Sequence, residues 1–187
     1  MIQSSGLTID KFYIPPFTVD AGDIVVIELP DGQYFSEVLL KLVDILTSKN
    51  THPSITVKTE FTFVKHIVET GWARFFRPMT VGRYIKIQGN PADGALNNIY
   101  EICDFKSTMP LNRIPRNQKM MLSMLTTLSW TKNIIFDFRG VDPVGAQTIY
   151  SLVKEKIHNG GTAILLDNYD DFKNDCTKFI KYEMVGD

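Results

Sequence analysis

The chain has 187 residues, 44% of them hydrophobic and 22% charged, a composition that excludes disordered and fibrous classes and leaves room for one domain with a sizeable core. Twenty Lys and Arg against twenty-one Asp and Glu give a net charge of −1, so no global field draws in nucleic acid or an anionic membrane. Asp10 and Asp23 interrupt any signal-like apolar stretch, no run approaches the roughly eighteen apolar residues of a membrane span, and Cys103 and Cys176 lack histidines at zinc-site spacing. A cytoplasmic chain with two reduced, buried thiols and no metal site is expected.

In chain order, Leu7 to Ile9, Phe12 to Ile14 and Asp23 to Leu29 are β-rich runs separated by turn formers at Pro15-Pro16 and Ala21-Gly22. They predict an antiparallel edge leading into a buried strand. After the turn Pro30-Asp31-Gly32, the apolar residues Phe35, Val38, Leu39, Leu42, Ile45 and Leu46 recur at helical spacing, with Glu37 near the start. Ile55 to Val57 and Phe61 to Val64 are β-like. Met79 to Ile87 and Ala95 to Phe105 are predicted helices, and Pro115 opens another over Asn117 to Leu128 that carries Met121, Leu122, Leu125 and Leu128 on one side. Its methionines are expected as core filler.

The last third has the clearest pattern. Ile134-Ile135-Phe136 is a short apolar run that ends at Asp137, as in a strand buried on both faces. Asp142 and Pro143 supply a helix cap and a first-turn proline, Ala146, Ile149, Tyr150, Val153 and Ile157 form a stripe, and Gly160-Gly161 ends it before a buried strand at Ala163 to Leu166. Strand, helix, strand in that order predicts a parallel sheet and an α/β fold.

Asn133 to Pro143, with Asp137, Gly140 and Asp142, resembles the Walker B strand and D-loop of ABC-type ATPases. Gly160 to Asp170 is similar to the strand and switch-histidine turn of that family, with Tyr169 at the histidine position. Gly22 to Leu40 resembles the strand, phosphate loop and helix, Phe76 to Val81 the segment after the Q-loop, and Cys176 to Gly186 the final strand and turn. The resemblance implies a single ABC-ATPase-like domain over residues 1–187, an α/β fold with a mostly parallel sheet, N-terminal antiparallel strands and a reduced helical subdomain. The core would comprise about 1–70 and 131–187, and the subdomain about 71–130.

The same resemblance marks where the family's chemistry is missing. Of the phosphate loop only Gly32 and Ser36 remain; Leu29 and Tyr34 stand at glycine positions, where a Cβ penalises a strained backbone, and Phe35 replaces the lysine. Glu37 adds a charge that repels phosphate. Asp137 keeps the carboxylate that would hold magnesium, while Phe138 stands where the catalytic glutamate would be and cannot accept a proton. The signature segment corresponds to Ile114 to Gln118, in which only Gln118 survives and Pro115 has no N–H to donate. The resemblance places His66 at the γ-phosphate-sensing glutamine, but the favoured reading of His66 is an ordinary loop or strand-end histidine. Asp142 is accounted for as a helix cap.

Gly32, Ser36, Asp137 and Asp142 are thus vestigial cofactor positions, Tyr34, Phe35, Phe138 and Tyr169 are altered ones, and no catalytic residue is expected. The implied function is that of a non-catalytic ABC-ATPase-like subunit, a structural or regulatory partner of a membrane transport subunit or an intact ABC ATPase. A homodimer, and attachment to the inner face of the membrane through a partner, are compatible with it. No cofactor is expected. The alternatives are a nucleotide-binding protein with an altered ATP and magnesium site, in which Phe12 or Tyr13 stacks on the adenine, and a stand-alone binding module that reuses the fold.

Overall fold

The computed structural model describes residues 1–68, 78–158 and 160–185. The chain divides into two compact units: Met1–Phe63, Asn133–Asp137 and Lys156–Asp187 form the first, and Val64–Lys132 with Phe138–Glu155 the second.

Most of the described strands of the first unit arise from short apolar stretches whose pattern follows the sheet they join. Ile2–Ser4 (β1), Phe17–Val19 (β4) and Ile55–Val57 (β6) form an antiparallel sheet in the order β4-β1-β6, with Ile2 opposite both Val19 and Val57. In β1 and β4 the alternate residues are buried and the central one is exposed, the period-two pattern of a sheet with one solvated face. Leu7–Ile9 (β2), Phe12–Ile14 (β3) and Glu183–Met184 (β11) form a second antiparallel sheet in the order β11-β3-β2. Asp10 turns its hairpin with a φ of 54°, and its carboxylate takes a 2.8 Å ion pair from Lys41.

Ile24–Glu28 (β5), Thr62–Phe63 (β7), Asn133–Phe136 (β8), Thr162–Asp167 (β9) and Lys178–Lys181 (β10) make a five-stranded parallel sheet in the order β10-β5-β9-β8-β7. β9 is buried along its whole length and β5 at all positions but Glu28, so these strands are read as continuous apolar runs rather than alternations. The α/β class with its parallel sheet and separate antiparallel strands is as expected from the sequence. Phe35–Leu46 (α1) buries Phe35, Val38, Leu39, Leu42, Val43 and Leu46 in the same apolar cluster as β2, β3 and β5. At roughly 1.5 to 3 kcal/mol for each large side chain, this stripe is what holds the helix, because its N-terminus has no side-chain cap.

The second unit is helical. It contains Val81–Gln88 (α2), Ile99–Ile102 (α3), Arg116–Leu128 (α4) and most of Pro143–Ile157 (α5), packed on a cluster that includes Val81, Ile99, Phe105, Leu111, Leu122 and Leu125. Three expectations need correction here. The helix expected over Met79 to Ile87 starts only at Val81, after Thr80 caps it by accepting from the Arg83 N–H. The helix expected over Ala95 to Phe105 is a 3₁₀ turn, Gly94–Asn98, followed by the single turn of α3. Asp104 then reverses the chain at a φ of 51°, with Phe105 N–H donating to the Tyr100 carbonyl and Asp104 N–H to that of Glu101, a Schellman ending that the periodicity of the apolar residues does not reveal. The third concerns α4, which is buried continuously from Leu122 to Thr126 and at Met120 rather than along one stripe. Ser123 and Thr126 tolerate this because their hydroxyls donate to the carbonyls of Lys65 (2.6 Å) and Leu122 (2.9 Å). Both cysteines are free; Cys103 is buried, which pushes its thiol up to about 11, but Cys176 is only half-buried.

Candidate functional site

Parallel strands end in a crevice at their carboxyl edge, where open α/β sheets bind ligands. At that edge β5 ends on Glu28, β9 on Asp167, and Asp137 directly follows β8. The chain leaving β5 is tied down at once. Leu29 N–H donates to the Asp167 carbonyl at 2.7 Å, Leu29 and Pro30 are buried, and Asn168 Nδ2 donates to Asp31 Oδ1 at 2.6 Å. Gly32, at a φ of 66°, then opens a 3₁₀ turn over Gly32–Tyr34 that leads straight into α1. It is the one residue of this turn that needs a glycine. Tyr34 sits at φ −82° and ψ −24°, in the ordinary helical region, so the strain expected there from the glycine-to-tyrosine difference is absent.

The side chains of the turn are committed to packing. Phe35 is 7% exposed and belongs to the main apolar cluster. The Tyr34 ring lies 5.5 Å from that of Phe12 and under the Lys11 ammonium, 4.2 Å from its ring centroid. Phe12 is itself buried, with Tyr182 edge-on at 5.5 Å, so it is enclosed by two neighbouring rings and does not present an open face for stacking. The Tyr13 ring covers Gly6, where a Cβ would collide with it. Ser36 and Glu37 are exposed on the first turn of α1.

The strand-end carboxylates are enclosed. Asp137 is fully buried and Asp167 is 6% exposed. Burial, joined by repulsion from Asp137 and Asp171, pushes Asp167 up to about 6 even though its Oδ1 accepts the Asn168 N–H. Glu28 Oε1 pairs with Lys181 at 2.9 Å, while its Oε2 is buried with no hydrogen-bond partner. Neither Asp167 nor Glu28 was expected as part of the site. The signal was available: each ends an apolar strand as Asp137 follows one. Among the described residues no group of three or more His, Cys, Asp and Glu is arranged to hold a metal ion. Tyr169 is exposed beyond β9.

No family model matches the sequence, and no curated protein matches it. Solved structures do match in shape. An ABC transporter ATP-binding protein from Pyrococcus furiosus superposes with a TM-score of 0.69 at 13% identity, over 96% of each chain. A nucleotide-free ATP-binding cassette from an ABC transporter gives 0.62 at 17% identity, over 92% of this chain and 83% of that one. A Clostridium perfringens component of the ABC transporter complex cbiONQ gives 0.64 at 13% identity, over 98% and 86%. The chain has the ABC-ATPase fold.

The remaining positions of the ABC resemblance lie in the second unit. Phe138 is buried. Asp142 is exposed and caps α5: its Oδ1 accepts the Gly145 N–H at 2.8 Å and its other oxygen is bonded to the Asn117 amide, contacts that hold the carboxyl below its usual range. Within the signature-like segment Ile114 is buried, Pro115 precedes α4, and Gln118 Nε2 donates to the Cys103 carbonyl at 3.5 Å. His66 follows β7 in a loop, where it lines a cavity with Arg116. Phe76 and Arg77, from the segment after the Q-loop, and Gly186 of the final turn lie outside the described residues.

Proposed function

We propose that this chain is a non-catalytic ABC-ATPase-like subunit, a structural or regulatory partner within an ABC transport complex. The observation that carries the reading is Phe35. At the position of the phosphate-loop lysine, where the resemblance calls for an ammonium beside the β- and γ-phosphates, an aromatic ring is buried in the core. The neighbouring crevice supports the same view. A magnesium triphosphate needs amide groups and cations around its phosphates, whereas the strand ends carry Glu28, Asp137 and Asp167, and the loop above them is held shut by the Leu29–Asp167 and Asp31–Asn168 bonds. Phe138 has no atom that could take a proton from water. These residues do not fit the nucleotide.

The partner is a membrane transport subunit or an intact ABC ATPase, in line with the ABC transporter components that share the fold. No helix of the described residues is long and apolar enough to cross a membrane, so a membrane location would come through that partner. The test has two arms. The purified protein is expected to hydrolyse no ATP and to gain no magnesium-dependent thermal stability from millimolar ATP, although saturation at a hundred times Kd would contribute about 2.7 kcal/mol. Turnover that needs magnesium and disappears in Asp137→Asn would overturn the non-catalytic reading. The genes beside this one are expected to encode a multi-span membrane protein and an intact ABC ATPase with which the chain co-purifies; a gene standing alone, whose product co-purifies with neither, contradicts the partner reading.

A further inference from the structure

Little apolar burial holds α2 to the second unit. Only Val81 is fully buried, Tyr84 and Ile85 are half-buried, and Arg83, Lys86, Ile87 and Gln88 are exposed. The spacing i, i+3, i+4 puts Arg83, Lys86 and Ile87 on one face of the helix, turned away from Val81. Ile87 is 53% exposed on that face, and Trp130, just beyond the end of α4, is 62% exposed.

Trp130 is held at the carboxyl end of α2. Its Nε1 donates to the Gln88 carbonyl at 2.8 Å, and the chain beside it is clasped by Asn90, whose N–H donates to Ser129 Oγ at 2.9 Å and whose Nδ2 donates to the Ser129 carbonyl at 3.0 Å. The one polar atom of the indole is thus satisfied within the protein, and the exposed part of the ring is apolar. Positive charge is concentrated on the neighbouring face. Neither Arg83 nor Lys86 is paired with a carboxylate among the described residues, and α2 contains no acidic residue. From Thr70 to Ala92 the sequence carries four Lys and Arg and no Asp or Glu. The whole chain has a net charge of −1, so this is a local excess.

We infer that this face of α2, together with Trp130, docks on an anionic lipid surface. Tryptophan and isoleucine beside cations with long aliphatic stems are the residues that suit the boundary between headgroups and acyl chains: the ring and the aliphatic groups enter it, while the guanidinium and ammonium reach the phosphates. No carboxylate of α2 opposes the headgroups. A second copy of this chain is a poor occupant, because a two-fold contact would set Arg83 and Lys86 against the same cations. Two cations and two apolar side chains give weak, reversible attachment, which supplements attachment through a membrane subunit and does not depend on it. The face belongs to the second unit, and the inference does not rest on the reading of the strand-end carboxylates in the first.

The experiment is co-sedimentation of the full chain at low salt with vesicles of phosphatidylcholine alone and of phosphatidylcholine mixed with phosphatidylglycerol, beside a binding assay with soluble polyglutamate. The chain is expected to bind the mixed vesicles, to bind phosphatidylcholine alone far more weakly, and to be released as salt is raised. Arg83→Gln and Lys86→Gln should each weaken binding to the mixed vesicles by about fivefold, and Ile87→Ser by at least as much. All three side chains are exposed, and circular dichroism checks the folding of each variant. Lys49→Gln removes an exposed cation of the first unit and should leave the binding unchanged. No binding to the mixed vesicles, equal binding to both kinds, insensitivity to both α2 cation substitutions, or an equal loss in Lys49→Gln would each overturn the inference. Polyglutamate bound as tightly as the vesicles, and unaffected by Ile87→Ser, would overturn it in favour of an acidic protein partner. A magnesium-dependent response to ATP that Asp137→Asn removes would instead refute the non-catalytic reading and leave this one standing.

Discussion

Replacing Asp167 by asparagine is expected to stabilise the protein at neutral pH. Asp167 ends β9 at 6% exposure, and burial together with the charges of Asp137 and Asp171 pushes its carboxyl from 3.8 to about 6. Its folded-state pKa lies above its unfolded one, so between these two values the folded chain holds more protons than the unfolded chain. Stability contributed by this group is therefore fully present below pH 3.8 and is lost as pH rises through about 6. A shift of about two units at ~1.4 kcal/mol per unit sets a ceiling of about 3 kcal/mol on the destabilisation at pH 7.5. Asparagine removes the charge while its amide oxygen still accepts the Asn168 N–H, a 2.8 Å bond in the wild type. Urea unfolding of both proteins across a pH series provides the measurement. The variant should be more stable by about 1 to 3 kcal/mol near pH 7.5, and the difference should close towards pH 4. Carboxylates remote from Asp167 drop out of the difference, and relief of its repulsion with Asp137 and Asp171 acts in the same direction as the loss of its own buried charge. A variant no more stable than wild type at pH 7.5, or an advantage that does not narrow in acid, would refute the argument that Asp167 is held in a hostile environment.

The double change Tyr34→Gly, Phe35→Lys should weaken the protein rather than revive a phosphate loop. Moving a buried ring out of the core and placing a cation at a helix N-terminus should cost about 2 to 3 kcal/mol in urea unfolding, with ATP turnover still undetectable because Phe138 and the signature-like segment are unchanged. Wild-type stability with new tight ATP binding would contradict this. Lys178→Met tests the other end of the sheet, where the ammonium bonds Asp23 at 2.6 Å and Asp20 at 3.0 Å. Burial pushes Asp23 up, but its bonds to Lys178 and to the Asp20 N–H outweigh this and hold it below the usual range. Its contribution is therefore present above the unfolded value and lost as pH falls through the lowered one. The substitution should cost about 1 kcal/mol at pH 7 and progressively less in strong acid.

How far local pattern reaches is clear from particular elements. α1 was legible because Phe35, Val38, Leu39, Leu42 and Leu46 repeat at helical spacing, and β8, α5 and β9 because two apolar runs flank a capped stripe that ends in glycines. Their parallel pairing followed from their order. β1 and β4 were missed: Ile2–Ser4 and Phe17–Val19 are three residues each, too short to show a period, and become strands only because β1 pairs on one side with β4 and on the other with Ile55–Val57, some fifty residues along the chain. In the helical unit, the reversal at Asp104 broke a helix that the apolar residues alone predicted.

The sequence by itself determined the fold class and the order of the parallel strands' partners α1 and α5. Those are properties of single residues and of short repeats. Only the tertiary structure decided what the side chains around the sheet's edge do. Phe35 joins the core, Phe12 is enclosed by Tyr34 and Tyr182, and Glu28 and Asp167 join Asp137 among the carboxylates at the sheet's edge. Each of these follows from contacts between residues far apart in the chain. Burial, desolvation and the sum of nearby charges depend on such contacts, and no local spacing encodes them.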